Sequence, residues 1–144
     1  MIKAWLHAAR LRTLPLSLSG IIVGTGLAAV LSAFDGAIFG LALLTTTGFQ
    51  VLSNFANDLG DSQKGTDNAE RVGPARAIQS GQLSAGQMKV GMWVVGLISL
   101  LSALTLIYTS VPHLSTNAIY FYIVLALACI AAAITYTVGK NAYG

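Results

Sequence analysis

The chain has 144 residues, of which 55% are hydrophobic and only 9% charged, with a mean hydropathy of +0.72, which excludes an ordinary water-soluble domain and points to a bilayer protein. Its formal net charge of +3 comes without a basic patch interleaved with aromatics, so nucleic acid is not an expected partner. The single cysteine, Cys129, leaves no disulfide framework and no thiol pair for a metal.

The amino-terminal stretch "MIKAWLHAARLRTL" predicts a short helix lying at the membrane interface, with Trp5 at headgroup depth and Lys3, Arg10 and Arg12 toward phosphates. Arg10 or Arg12 facing a substrate is the alternative. A first apolar span follows at about 13–33, with an apolar run about twice that of a cleaved signal peptide, and it is therefore read as retained. Further spans are expected at about 37–56, 87–108 and 119–138, each close to the roughly 20 residues that cross a bilayer. Gly, Ala, Ser and Thr recur within them, as close packing of helices in lipid requires. The fold class is thus all-α, a multi-pass transmembrane helical bundle whose four spans are too few to establish an internal repeat. His7 and His113 are expected to contact headgroups or water. Trp93, Tyr120 and Tyr136 are expected in packing or interfacial belts, with Tyr136 and Tyr143 the alternatives for lining a chamber.

The basic residues fix the orientation. Lys3, Arg10 and Arg12 precede the first span, Lys64, Arg71, Arg76 and Lys89 lie beside the connection between the second and third, and Lys140 follows the fourth. The opposite connections, Phe34 to Gly36 and Thr109 to Ala118, hold no Lys or Arg. The positive-inside rule therefore puts both termini and the polar loop 57–86 in the cytoplasm.

That loop, with the end of the span before it, holds Asp58, Asp61, Asp67 and Glu70, leaving only Asp35 elsewhere among acidic residues. With the second span continued as a helix and Asn54 taken as zero, Asn57 falls at about −60°, Asp58 at about +40°, Asp61 at about −20° and Gln50 at about −40° at 100° per residue. A polar stripe thus runs back into the membrane. For Gln50 and Asn54 an interhelical hydrogen bond is an equal reading. Two carboxylates one turn apart repel, and a divalent cation answers that repulsion. Hard oxygen donors without His or Cys favour Mg²⁺, which commonly binds carboxylates together with substrate phosphate oxygens. Gly65 is expected to break the helix so that Asp67 turns back toward the site, with Arg71 and Arg76 supplying guanidiniums suited to phosphate; the alternative is a solvated charged loop. A metal and arginines beside an apolar bundle suit an isoprenyl diphosphate, whose ionisation leaves an allylic cation that a dry chamber protects.

The strings "NDLGDSQKGTD" and "RVGPARAIQSG" resemble the first Asp-rich motif of the UbiA superfamily of intramembrane prenyltransferases. The spacing of Asn57, Asp58, Asp61, Gly65 and Asp67, with "ARLRTLP" and "YTVGKNAYG" on either side, is similar to the branch that prenylates 1,4-dihydroxy-2-naphthoate in menaquinone synthesis. The resemblance implies that Asn57, Asp58, Asp61 and Asp67 hold Mg²⁺ and the diphosphate, that Arg71, Arg76 and Lys64 contact the substrate, and that Gln50 and Asn54 sit deeper, toward the reacting carbon. Arg12 and Lys140 are candidates for the aromatic carboxylate or the diphosphate. It further implies polyprenyl diphosphate and dihydroxynaphthoate as substrates, decarboxylation to demethylmenaquinol, and an integral location in the inner (plasma) membrane of a prokaryote.

The family's bundle has about nine spans and a second Asp-rich motif. The four spans here are therefore expected to be the amino-terminal part, 1–144, of one UbiA-like domain, inactive without its carboxy-terminal half. Ala142 stands where the family pattern leads one to expect proline. Other acceptors, namely 4-hydroxybenzoate, homogentisate or a haem vinyl group, are alternatives within the family. A small transporter subunit is the alternative outside it, disfavoured because the deep parts of the spans carry no charge.

Overall fold

The computed structural model describes residues 1–66, 73–139 and 142. Among them, five α-helices follow one another: α1, Ile2–Ala9; α2, Leu14–Val30; α3, Gly36–Lys64; α4, Ala85–Ser110; and α5, Thr116–Thr135. Four helical stretches, Ile2–Val30, Gly36–Lys64, Ala85–His113 and Thr116–Thr135, are long and apolar enough to cross a membrane. The all-helical bundle expected from the sequence is what forms.

The helices α3, α4 and α5 each begin where a short polar side chain takes a first-turn amide hydrogen. Asp35 accepts from the amides of Ala37 and Ile38 at 2.8 and 3.0 Å, so the acidic residue outside the charged loop is a cap. At the head of α4, Ser84 Oγ accepts from the Gln87 amide and Gln87 Oε1 accepts from the Ser84 amide, a reciprocal capping box. Ser115 does the same for α5 through the Ala118 amide.

The helix α3 is the axis of the bundle. It packs against α1, α2, α4 and α5, and most extensively against α4. Small residues set the approach: a Cβ at Gly48 would lie 2.3 Å from Ser99 Oγ on α4, and the Thr45 and Ser102 hydroxyls share a buried hydrogen bond of 2.8 Å between the same helices. Leu52, Phe55, Ala56 and Leu59 carry the core along α3, and Met88 and Met92 meet it from α4. The outward faces keep exposed Leu16, Val23, Trp93, Leu101 and Phe121, an apolar surface suited to acyl chains.

One expected boundary shifts. The fourth span ends at Thr135, short of 138, because the chain turns at Tyr136 and Thr137 and Gly139 takes a φ of 108°. Trp5 turns inward toward the bundle. Its ring packs 5.4 Å from that of Phe55 and against Gly91, where a Cβ would come within 2.5 Å of it. The buried Ala4, Ala8 and Ala9 bring α1 close enough to α3 for this inward packing.

Candidate active site

The final turns of α3 carry Asn54, Asn57, Asp58 and Asp61, and Gly65 ends the helix in the left-handed region at φ 70°, where lack of a Cβ makes that conformation cheap. The connection then returns over the helix end. Residues 76–81 form a compact turn in which the Ser80 amide donates to Arg76 O at 2.9 Å and the Leu83 amide to Ala77 O at 3.1 Å.

Asp58 faces this turn. It is 1% exposed, and its Oδ2 accepts from the Ala77 amide at 3.0 Å while Oδ1 accepts from the Ile78 amide at 3.4 Å. Charge-assisted bonds of this kind stabilise a carboxylate that burial alone would penalise. One turn on, Asp61 Oδ2 accepts from Arg76 Nη2 at 2.6 Å, with the arginine side chain 11% and the aspartate 16% exposed. The two carboxylates that share a helix face are thus answered in part by backbone amides and a guanidinium from the returning loop.

The remaining candidates divide among three places. Asn54, 3% exposed, donates through Nδ2 to Ala9 O at 2.8 Å and to Thr13 Oγ1 at 3.2 Å, tying the carbonyl end of α1 to α3. Gln50 donates to Asn54 Oδ1 at 3.4 Å and accepts from Ser17 Oγ. It lines a cavity of about 500 Å³ between α2, α3 and α5, with Ser17, Phe49, Cys129 and Tyr136. Asn57 turns toward the end of α5, where Thr137 Oγ1 donates to its Oδ1 at 2.7 Å. Lys64 donates to Ala142 O at 3.2 Å. Asp67, Arg71 and Lys140 lie outside the described residues.

A cavity of about 300 Å³ opens beside Asp58, and His7, Arg10, Arg12 and Arg76 are among its walls. Arg10 reaches it because α1 ends there, with Arg10 in the left-handed region at φ 50° and a 3₁₀ turn, Leu11–Thr13, leading into α2. The wall therefore carries three arginines and one aspartate, a balance of charge that attracts anions. Among the described residues no three His, Cys, Asp or Glu side chains cluster as a metal centre would need. Sequence reasoning missed the Ala77 and Ile78 amides and Thr137. The first two carry no side-chain signal; for Thr137 the sole sequence cue was Gly60, a small residue one turn beyond Asn57.

The sequence pattern of the UbiA prenyltransferase family matches residues 17–143. The chain belongs to that family. It is 46% identical over 145 residues to the 1,4-dihydroxy-2-naphthoate octaprenyltransferase of Haemophilus influenzae. It is 42% identical over 142 residues to the protein of the same name in Escherichia coli, and 34% identical over 140 residues to that of Mycobacterium tuberculosis. These alignments cover 97 to 99% of the chain but only 45 to 46% of each relative, so this UbiA-family chain spans about half the length of the curated relatives it matches. No solved structure matches it significantly.

Proposed function

We propose that the chain contributes the Asp-rich part of a prenyltransferase that moves a polyprenyl group from its diphosphate to 1,4-dihydroxy-2-naphthoate. The prenyl carbon–oxygen bond breaks and a bond to the ring carbon forms, with release of pyrophosphate and carbon dioxide to give demethylmenaquinol. The observation that carries this reading is the cavity at the end of α3, which Arg10, Arg12, Arg76 and Asp58 line together while Asp61 is ion-paired to Arg76. The names of the relatives supply the acceptor.

In this reading the arginines receive the diphosphate. Guanidiniums match phosphate oxygens in geometry and hold their charge at any working pH. Arg71 adds a cation from the loop, Lys64 from the last turn of α3, and Lys140 from beyond α5. The cavity between α2, α3 and α5, walled by Gln50, Phe49 and Tyr136, is where the apolar chain and ring meet, away from water. Arg12, at the mouth of the first cavity, suits the acceptor's carboxylate.

The oxygen donors Asp58 and Asp61 suit a hard divalent cation. With Asp67 they would hold Mg²⁺, and Asn57 stands beside them. When bound, the ion would offset the charge of the departing pyrophosphate. The gathering of all Lys and Arg on the side of the Asp-rich loop supports a cytoplasmic site in the inner membrane of a prokaryote.

The test is an assay of the full-length protein in detergent with Mg²⁺, a polyprenyl diphosphate and, in parallel, dihydroxynaphthoate, 4-hydroxybenzoate and homogentisate. Turnover with dihydroxynaphthoate is expected. Turnover only with another acceptor overturns the acceptor assignment, and none with any acceptor overturns the transferase reading.

A further inference from the structure

A third cavity, of about 350 Å³, opens on the outer surface between α4 and α5. On α4 its wall runs from Lys89 through the exposed Trp93 and Leu97 to Leu100, and Ile130 and Ile134 of α5 line the other side. Leu59 of α3, nearly fully buried, closes the floor. Leu59 follows Asp58 and lies about 100° round the helix from it, so this groove and the charged cavity sit on different faces of α3. Lys89 is the sole charged residue of α4. Among the described residues its ammonium has no hydrogen bond or ion pair, and no carboxylate lines the groove.

We propose that this groove binds an anionic phospholipid of the leaflet that meets the charged loop, its headgroup phosphate at Lys89, its glycerol esters at Trp93 and one acyl chain between Leu97, Leu100, Ile130 and Ile134. The length fits one leaflet. Lys89 and Leu100 are 11 positions apart, about 16–17 Å along the helix axis at 1.5 Å per residue, against half of a hydrocarbon core about 30 Å thick. A spanning helix, from this chain or from a second copy, calls for contact across the whole bilayer, yet α4 runs on past the end of the groove at Leu100 to Ser110. From rim to depth the wall offers a cation, an amphipathic ring and then aliphatic side chains, the order of polarity of a phospholipid. The lysine stem lies along apolar surface while its ammonium reaches the headgroups, and a Trp ring one turn deeper suits the interface and carries an N–H donor. Basic residues between spanning helices at the membrane edge hold anionic headgroups in this way. A zwitterionic lipid brings a cation that no acid in the groove would receive, so the net negative headgroup is the one that matches Lys89.

The experiment places the full-length protein in phosphatidylcholine vesicles doped with a small fraction of phosphatidylglycerol bearing a photoreactive acyl chain, or with the same fraction of a photoreactive phosphatidylethanolamine. Mass spectrometry maps the labelled peptides, competition by unlabelled phosphatidylglycerol gives relative affinities, and a thermal melt checks folding. In wild type the phosphatidylglycerol probe is expected to label α4 and α5 around Trp93, Leu97 and Ile130, several-fold more than the phosphatidylethanolamine probe. Lys89→Gln keeps most of the stem but not the charge, and is expected to weaken phosphatidylglycerol about ten-fold, the worth of one hydrogen bond between charged groups. Lys89→Arg keeps the cation and is expected to bind as wild type.

Equal labelling of the groove by the two probes, unchanged affinity in Lys89→Gln, or equal loss in Lys89→Gln and Lys89→Arg overturns the proposal. Absence of label from α4 and α5 means that the carboxy-terminal half or a second copy covers the groove, and overturns it as well. None of these readouts passes through prenyl transfer, so failure here leaves the proposed function standing, and failure of that function leaves this comparison decisive.

Discussion

The Asp58 carboxylate receives the backbone amide of Ala77 at 3.0 Å, across 19 residues of sequence and at 1% exposure. Asp58 thereby folds the charged loop back onto α3, whatever ligand it also serves. Asp58→Asn would set an amide N–H₂ against a backbone N–H at one of its two oxygens. A loss of about 1–3 kcal/mol is expected, the cost of a buried donor left without an acceptor, with faster tryptic cleavage at Arg76. Thermal melts in detergent and timed proteolysis measure both. A variant with wild-type melting and cleavage would show that the loop is held by other means.

Asp61 and Arg76 form a nearly buried pair, and removing one partner takes from the other a charge-assisted bond. Asp61→Asn and Arg76→Met are each expected to cost several kcal/mol, up to about 3–5. The double variant should cost less than the sum of the two single losses, because the interaction between the two charges is then removed only once. A double-mutant cycle from denaturation in mixed micelles reads the coupling. Activity should stay lost, since the double variant lacks both the phosphate-facing guanidinium and the carboxylate.

Span number and order were legible because about 20 apolar residues leave few alternatives, and the end of α3 was legible because Gly65 marks it. The end of α5 was not. Tyr136, Thr137 and Val138 read as more span, and the turn there depends on contact with Gly60, which is 77 positions away from Thr137 in the sequence numbering. Helical spacing placed Asp58 and Asp61 on one face, as α3 has them, but it could not show that Ala77, Ile78 and Arg76 would meet them. A hydrogen bond to a backbone amide across a loop leaves no periodic trace. The diphosphate followed from the expected metal and arginines beside an apolar bundle, whereas the naphthoate acceptor came from resemblance, which no pattern of spacing supplies.

The two tryptophans differ in surroundings, and fluorescence can separate them. Trp93 is 81% exposed on the outer face of α4, whereas Trp5 lies against Phe55 and Gly91. In lipid with brominated acyl chains, Trp5→Phe, which leaves Trp93, should be strongly quenched. Trp93→Phe, which leaves Trp5, should be weakly quenched. Trp5→Ala should destabilise by less than the roughly 3–5 kcal/mol of a fully buried tryptophan, because Trp5 is half-buried. Equal quenching of the two would return Trp5 to the headgroup belt.

Gly60 and Gly24 offer the same substitution in opposite settings. At Gly24 an added Cβ meets nothing within 4 Å, so Gly24→Ala should gain up to about 1 kcal/mol from helix propensity. At Gly60 the same Cβ meets the backbone of Thr137 at 2.3 Å, and a backbone cannot swing aside as a long side chain can. Overpacking of this kind typically costs about 1–3 kcal/mol, so Gly60→Ala should be net destabilising despite its better propensity. The end of α5 can relieve the clash only by moving off α3, which lengthens the bond from Thr137 to Asn57. Gly60→Ala should therefore also weaken pyrophosphate binding in the full-length protein, while Gly24→Ala leaves it unchanged. If Gly60→Ala melts and binds like wild type, the two helices do not touch at this point.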